Sequence, residues 1–261
     1  MMNMPRLLPV LCCAVYFFLL APILVVVLAS FNAGAFLTFP PQGLSLRWYR
    51  TFFHNAVFLR AFIESMEIAV AATSISAVIG TMAALFSMRT TPALANIVRL
   101  GMTLPLVLPE VLTAIGLLFF FYAMGIGVHY SVALLVGHVL LTLPFIYINV
   151  STSLRSFDPS WELAARSLGA SPFVTFYRVT MPLMKSGLTS GCLFGFIVSF
   201  DAFSTSFLLK DVGTATLPIQ LFDYLRLNFT PEAAAVSTFS IIVTFLIVIM
   251  TKTIFGNRFT K

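Results

Sequence analysis

The chain of 261 residues is 59% hydrophobic and only 9% charged, and its mean hydropathy of +1.01 excludes an ordinary soluble globular domain. Its apolar runs are long and do not alternate with polar residues, which excludes a transmembrane β-barrel and predicts an all-α polytopic membrane protein. The formal net charge of +6 then reflects membrane topology, so we expect contact with membrane lipid and no nucleic-acid partner.

Six apolar runs are long enough to cross a membrane, because a helix needs about 20 residues to span about 30 Å of hydrocarbon. They predict six transmembrane helices in one transmembrane domain, 1–261, with spans at about 7–30, 61–88, 100–124, 130–154, 186–209 and 233–252. The first run also has the outline of a signal peptide, but its apolar part is longer than the roughly 7 to 15 residues of a signal-peptide core. We therefore predict a retained first span.

The distribution of lysine and arginine predicts the orientation of these spans. With the N-terminus in the cytoplasm, ten of the 15 basic residues lie on the cytoplasmic side and five on the outer side. Cytoplasmic segments carry the excess of basic residues in membrane proteins. Both termini, and the segment between the fourth and fifth spans, are therefore predicted to be cytoplasmic.

The connector between the first two spans, 31–60, is predicted to contain a short helix. Ser45 is a residue type that caps helices, and it precedes the sequence LRWYRTFF. Trp48 and Tyr49 in that helix suit a membrane–water interface, because each has an apolar ring and a polar group.

The segment 158–182 is polar, although membrane insertion does not require a long polar segment there. Asp158 can cap a helix and Pro159 suits a first helical turn, so the pair predicts a helix start. Gly169 then predicts the end of this helix, since glycine tolerates a left-handed backbone conformation. Ser and Pro at 171–172 repeat the start signal. Two short helices meeting at a glycine are therefore expected.

The second of these short helices is predicted to carry Phe173, Phe176 and Tyr177 on one side. The sequence VTMP, with Pro182 as its last residue, is predicted to end this helix, because proline does not continue a helix readily. The fifth span then begins as a separate helix.

The side-chain pattern of the first short helix predicts its two faces. Four apolar residues with the spacing i, i+3, i+4 and i+7 predict the face that rests on the rest of the chain: Trp161, Ala164, Ala165 and Leu168. Glu162 and Arg166 lie on the opposite face in the order that favours an ion pair. Leu163 lies among these charges, which is typical of a docking site for a partner protein. A plain helical connector is the alternative.

Two acidic residues lie deep within predicted spans, Glu110 in the third and Asp201 in the fifth. An ionised side chain in hydrocarbon costs about 2.5 to 3.5 kcal/mol on insertion scales, so both should face the bundle interior or a wet cavity. One hypothesis is that they line a path for a cationic solute. The alternative is structural: Glu110 satisfies backbone groups freed by Pro105 and Pro109, and Asp201 pairs across a subunit interface.

An aromatic stripe accompanies Asp201 on the fifth predicted span, formed by Phe200, Phe203 and Phe207. A hydrophobic gate on the path is one interpretation, with Phe203 as the residue nearest the acid. Ordinary helix packing or contact with lipid is the other.

Several kinds of chemistry are absent from the sequence. It contains no Gly-x-x-x-x-Gly-Lys-Ser/Thr, so the chain does not bind ATP phosphates in the P-loop manner, and it contains neither His-Glu-x-x-His nor Gly-x-Ser-x-Gly. The three histidines are scattered, so we expect no metal site and no catalytic residue: His54, His129 and His138. His138, within the fourth span, is predicted to bond to a neighbouring helix.

The loop sequence resembles a known family. LAARSLGA is followed, nine residues after its glycine, by VTMP, which is similar to the Glu-Ala-Ala signature of ABC-importer permeases. Five residues follow the signature's spacing: Ala164, Ala165, Gly169, Val179 and Pro182. Leu163 occupies the position of the signature's Glu, and Glu162 precedes it by one residue, so the ion pair expected between that Glu and an ATPase subunit would need Glu162 as a replacement.

The resemblance extends along most of the chain. LSLRWYRTFF, LPLVLPEVLTAIGLL and TATLPIQLFDYLR are similar to the second permease subunit of spermidine/putrescine importers. That subgroup also includes permeases for opines, phosphonates and amino-acid derivatives. The fifth span has SFDA, with Asp201 followed by Ala202, where the family often has SFDD, which weakens the indication of a polyamine substrate.

The resemblance implies a six-span permease in the inner membrane of a bacterium. Its implied partners are a second permease subunit, two ATPase subunits that bind ATP and Mg²⁺, and a periplasmic solute-binding protein. The first loop helix would dock on the ATPase, so the implied coupling residues are Glu162, Leu163, Ala164, Ala165, Arg166, Gly169 and Pro182. The chain itself would bind no cofactor. A stand-alone secondary transporter, or an intramembrane enzyme, is a more distant alternative.

Overall fold

The computed structural model describes residues 4–128, 132–156, 158, 160–211 and 213–256. Within them the chain forms helices and connecting loops, with one isolated antiparallel bridge between Asn32 and Leu44. The helices are α1 Met4–Ser30, α2 Arg47–His54, α3 Ala56–Arg89, α4 Pro92–Val107, α5 Glu110–Ala123, α6 Val132–Arg155, α7 Ser160–Ser167, α8 Pro172–Thr175, α9 Met181–Phe200, α10 Ser204–Leu209, α11 Leu217–Leu227 and α12 Glu232–Gly256. The all-α class is confirmed.

Five stretches of helix are long and apolar enough to cross a membrane, and there are six if one bent pair counts as a single span. Four of the five correspond to α1, α3, α6 and α12. The fifth runs over Pro172–Phe200 in helical continuity through α8 and α9.

The continuous stretch Pro172–Phe200 corrects the prediction that VTMP ends the second loop helix. A π turn over Phe176–Thr180 joins α8 to α9, and the N–H of Met181 bonds to the carbonyl of Phe176, five residues earlier. Pro182 lies in the first turn of α9. Because proline cannot donate a backbone hydrogen bond, the locally wider π turn lets the helix continue past it.

The third predicted span, 100–124, is also corrected. It is two helices, α4 and α5, bent by 106° at residues 108–109, and α4 begins well before the predicted start. Leu108 has an extended backbone with ψ 139°, as expected of a residue that precedes proline. Pro109 therefore ends one helix and Glu110 begins the next.

The fifth predicted span, 186–209, has its end corrected as well. The helix α9 ends at Phe200, residues 201–203 are not helical, and α10 begins at Ser204. This interruption is called the α9–α10 break below. Apolar composition continues through it, and for this reason hydropathy alone predicted one uninterrupted span.

Packing divides the chain into two compact units, of which the first comprises Met1–Arg60 and Gln220–Phe245. In this unit the fully buried Asn32 organises the connector after α1, because its Oδ1 accepts hydrogen bonds from the N–H groups of Gly34 and Gln42. The short helix predicted after Ser45 is present as α2. Its Trp48 is buried and donates to the carbonyl of Gly34.

The second unit comprises Ala61–Ile219 and Leu246–Lys261. Its centre is the packing of α6 against α9, where glycines allow the two backbones to approach closely. A Cβ atom on Gly187 would lie 2.4 Å from the carbonyl oxygen of Asn149, and one on Gly191 would lie 2.8 Å from the Cα of Ile146. Small residues have this role in many membrane helix pairs.

Candidate functional site

The start and the turn of the loop 158–182 agree with the sequence prediction. Asp158 Oδ1 accepts a hydrogen bond of 2.9 Å from the N–H of Ser160, and this bond lowers the pKa of the exposed Asp158 carboxyl below its usual value. Gly169 has φ +88°, a conformation that favours glycine. Ser171 Oγ then accepts from the N–H of Val174 at the start of α8. Pro159 lies outside the described residues.

The predicted orientation of α7 is wrong. Trp161 is 52% exposed and Leu168 is 90% exposed, although both were expected to rest on the rest of the chain. Ala164 is exposed too, and Ala165 is half-buried. Glu162, expected on the outer face, has only 19% of its side chain exposed. The reason is that Glu162 finds charged and polar partners inside the chain, which periodicity cannot reveal.

The partners of Glu162 are Arg89 and Thr180. Arg89 Nη2 lies 3.1 Å from Oε1 and 3.2 Å from Oε2, and the hydroxyl of Thr180 donates to Oε1. The ion pair of Glu162 is therefore formed with the end of α3, and not with Arg166 as the i, i+4 spacing predicted. Arg166 is exposed on α7.

Apolar and aromatic side chains cover the outer surface of the loop. We call five of them the loop patch: Trp161, Leu163, Leu168, Phe173 and Tyr177. Leu163 is 64% exposed, Phe173 is 70% exposed and Tyr177 is 56% exposed. The rings of Phe173 and Tyr177 lie 5.0 Å apart. The exposure expected for Leu163 is thus present, and its neighbours in the loop patch share it.

Glu110 lies at the first residue of α5, directly after the bend in the third span. Its Oε1 accepts two hydrogen bonds of 2.9 Å from Thr205, one from the backbone N–H and one from the hydroxyl. It therefore satisfies a donor at the start of α10, and not the groups freed by Pro105 and Pro109. This bond brings Glu110 to the α9–α10 break.

Asp201 and Phe203 both lie in the α9–α10 break. The side chain of Asp201 is exposed, and its backbone N–H bonds to the carbonyl of Ile197. Phe203 stacks on Phe207 of α10, with ring centroids 5.5 Å apart. Phe200, at the end of α9, stacks instead on Phe196 of the same helix. The aromatic stripe is therefore divided by the break.

His138 holds the two sides of the α9–α10 break together. Its ring nitrogens lie 2.7 Å from the hydroxyl oxygen of Ser199 and 3.0 Å from that of Ser206, which are on α9 and α10 respectively. All three side chains are buried. The predicted bond to a neighbouring helix is confirmed. Sequence reasoning missed the two serines, for which the polar residues on both sides of FDAF were the available signal.

A cavity of about 830 Å³ lies along α9, within the second unit. Its lining comes from α3, the π turn, α9 and the end of α12, and includes Thr73, Lys185, Cys192 and Pro182. Volumes of this size are typical of sites for small molecules. In the part of the chain that the structure describes, no three His, Cys, Asp or Glu residues are grouped so as to hold a metal ion.

Broken helices with polar groups at mid-span, together with a polar loop carrying two short helical segments, define a polytopic membrane protein of the transporter class. Residues 76–261 match the family described as binding-protein-dependent transport system inner membrane component. Because this match covers more than half of the chain, the protein belongs to that family of ABC-importer permeases. It is a multi-pass inner-membrane protein.

Three curated relatives illustrate the range of the family. A putrescine transport system permease protein of Escherichia coli is 31% identical over 227 residues, 85% of this chain and 80% of the relative. A spermidine/putrescine transport system permease protein of Haemophilus influenzae is 29% identical, over 92% of this chain and 93% of the relative. A molybdenum transport system permease protein of Mycobacterium bovis is 31% identical, over 72% and 76%.

Two solved structures share the fold. One is a bacterial ABC transporter involved in the import of the acidic polysaccharide alginate, with a TM-score of 0.71, 15% identity, and coverage of 99% of this chain and 97% of that chain. The other is a methionine ABC transporter in inward-facing conformations, with a TM-score of 0.64, 18% identity, and coverage of 76% and 94%. At these identities the likeness concerns the fold alone.

Proposed function

We propose that this chain is the permease subunit of an importer for a small cationic solute such as a polyamine, driven by a separate ATPase that docks on the loop 158–182. The ATPase binds and hydrolyses ATP with Mg²⁺, and this chain binds neither. Both termini and the loop lie in the cytoplasm, as the distribution of basic residues favours.

The observation that carries this proposal is the exposure of the loop patch. Leu163, Leu168 and Phe173 are each more than half exposed, on a loop that carries charges and is predicted to face water. An exposed apolar surface of this kind is costly unless a partner covers it. A groove on an ATPase subunit fits this surface, because buried aromatic and aliphatic anchors carry much of the affinity in protein interfaces.

Family membership supports the remaining partners. The family description names dependence on a binding protein, so we propose a periplasmic solute-binding protein, two ATPase subunits and a second permease subunit that differs from this chain. The outward apolar side chains of α1 are consistent with contact to lipid or to that second permease, since the most apolar stretch of α1 buries none of its residues inside this chain.

The cargo is the least constrained part of the proposal. Two of the relatives described above carry polyamines in their names, yet a molybdenum permease is as similar in percentage identity. Asp201 supports a cation, because its carboxylate is exposed at a break in a membrane helix. Glu110 contributes less, since its Oε1 is engaged by Thr205. An opine, a phosphonate or an amino-acid-like solute is the alternative cargo.

Co-purification tests the ATPase assignment. A tagged wild-type chain should retain an ATPase subunit in mild detergent, and Leu163→Asp should lose it because a charge enters the apolar contact. Leu227→Asp is the matched control, since Leu227 is also an exposed leucine but lies outside the loop. Equal retention of the ATPase by both variants would refute the docking site. Absence of any ATPase with the wild-type chain would favour a stand-alone secondary transporter.

Uptake by the reconstituted importer tests the cargo. Competition of radiolabelled putrescine by spermidine, an opine and an alkylphosphonate should show preference for the polyamine. Asp201→Asn should weaken putrescine uptake by about tenfold, the effect of losing one charge-assisted contact. Uptake of putrescine that Asp201→Asn leaves unchanged would remove Asp201 from the path.

A further inference from the structure

The carboxylate of Glu162 is the point at which α7 meets two other elements. It accepts from Arg89, the last residue of α3, and from Thr180, the last residue of the π turn that continues into α9. One side chain of the loop is therefore bonded to the second membrane helix and to the fifth.

The two partners of the ion pair differ in exposure. Glu162 has 19% of its side chain exposed and Arg89 has 53%. Water screens exposed ion pairs, whereas a largely buried carboxylate with three hydrogen bonds is held more firmly. Glu162 is therefore the fixed member of this group, which we call the Glu162 clamp: Glu162, Arg89 and Thr180.

The turn on the C-terminal side of α7 has open space around its glycine. Gly169 has φ +88°, and a Cβ atom built on it would have no neighbour within 4 Å. Backbone hydrogen bonds from the N–H groups of Gly169 and Ala170 close this turn, but the turn connects α7 only to α8 and does not reach α3. The Glu162 clamp provides a direct path from α7 to α3 and to α9.

We propose that Glu162 is a positioning residue that transmits displacement of α7 to α3 and α9, and that it does not contact the ATPase. This inference rests on the proposed function of the loop. A displacement moves membrane helices as rigid bodies only where the contact between the elements persists during the movement. The clamp meets this requirement because it joins α7 to both helices through the same carboxylate.

Leu163 and Glu162 have separate roles in this arrangement. Adjacent residues on a helix differ by about 100° in direction, so they cannot both face the same neighbour. Leu163, at the position of the signature's Glu, is exposed toward a partner, while Glu162 is turned inward. Glu162 is thus an internal tether and no replacement for the displaced signature residue.

A charge swap in the reconstituted importer tests the clamp. Glu162→Arg places two cations together and should lower the solute transported per ATP hydrolysed by at least about fivefold, the low end of typical coupling factors. Arg89→Glu should do the same. The double variant should restore most of the ratio, since the ion pair re-forms with reversed charges and the Thr180 hydroxyl can accept as well as donate.

The matched control is Glu162→Arg combined with Arg99→Glu. It has the same net charge as the swap, but Arg99 lies on α4 and does not belong to the clamp. The amount of solute transported per ATP hydrolysed should therefore stay low. ATPase co-purification is measured on every variant. Each clamp variant should retain the ATPase, because the loop patch is unchanged.

The outcomes separate this inference from the function on which it rests. If the double variant retained the ATPase but did not recover the amount of solute transported per ATP hydrolysed, the clamp alone would be overturned. Loss of the ATPase in Glu162→Arg that Arg89→Glu does not reverse would show a direct contact between Glu162 and the ATPase, and would also overturn it. A wild-type chain without any ATPase would refute the proposed function together with the clamp.

Discussion

The loop 158–182 and the α9–α10 break are both interruptions of helical structure, but they distribute polar and apolar groups in opposite ways. The loop exposes Trp161 and Leu168 and turns Glu162 inward. The break buries His138 and Ser206 at the centre of unit two. In hydrocarbon every polar group needs a partner within the protein, whereas a loop in water can leave its polar groups to the solvent.

The comparison shows where a single side chain controls an interruption. In the loop, Glu162 connects α7 to two helices outside it. In the break, His138 connects the two helices on either side, and Glu110 accepts a hydrogen bond from the N–H of Thr205, the second residue of α10. The loop therefore depends on an ionisable residue of its own, and the break depends on ionisable residues from α5 and α6, so the two can be tested separately.

The largest expected effect is that of His138→Ala at the break. Two buried serine hydroxyls lose a partner and a cavity forms, so the free energy of unfolding should fall by roughly 3 kcal/mol. Thermal unfolding of the purified chain in detergent measures this effect. His54→Ala is the control, because His54 is exposed on α2. Equal melting temperatures for the two variants would show that the break does not depend on His138.

A smaller effect is expected for Glu110→Gln. The amide oxygen can still accept from Thr205, but without charge, so the free energy of unfolding should fall by about 1 kcal/mol. Glu67→Gln, at an exposed position of α3, should leave thermal unfolding unchanged. If Glu110→Gln kept its stability but lost solute uptake, Glu110 would act on the translocation path of the solute and not in stabilising the start of α10.

Substitution of Gly169 should have a comparable cost in stability but a different consequence. A non-glycine residue at φ +88° is strained by about 1 kcal/mol, and nothing near the Cβ position adds a steric clash. Gly169→Asp should therefore insert into the membrane normally while uncoupling ATP hydrolysis from transport or breaking assembly with the ATPase. Normal ATP-driven uptake by Gly169→Asp would argue against the coupling role of the loop. Gly125→Asp, also at positive φ, is the control outside the loop.

The smallest expected effect is that of Arg166→Gln on stability. Glu162 forms its ion pair with Arg89, so loss of the arginine on α7 should change the free energy of unfolding by less than about 0.5 kcal/mol. Arg89→Gln should cost more, because it leaves a largely buried carboxylate with one charged partner fewer. If thermal unfolding showed a larger loss of stability for Arg166→Gln than for Arg89→Gln, the i, i+4 pair of Glu162 and Arg166 would be the one that forms in solution.

The sequence predicted local structure well where the signal is local. Ser171 and Gly169 mark a helix start and a turn through backbone geometry that depends on the residue itself, and both are present. Leu163 is exposed as predicted, although Glu162, which was placed on the same outer face, is turned inward. The bend at Leu108–Pro109 was not predicted. Apolar composition continues on both sides of it, and a proline indicates a helix end without giving the direction of the next helix.

The faces of α7 could not be predicted from periodicity. Hydrophobic spacing identifies an apolar side, but it does not say whether that side meets this chain or a partner. Arg89 lies 73 residues before Glu162, and no local pattern relates the two. The same holds for Glu110 and Thr205, which are 95 residues apart.

What the sequence by itself determined is the class of the protein: a helical membrane permease with a signature loop, because hydropathy and motif spacing are properties of short segments. Only the tertiary structure decided that Glu162 faces Arg89 and Thr180, that Glu110 caps α10, and that His138 joins α9 to α10. The physical reason is that a polar group excluded from water takes its partner from whichever element packs beside it, and packing brings together residues far apart in the chain.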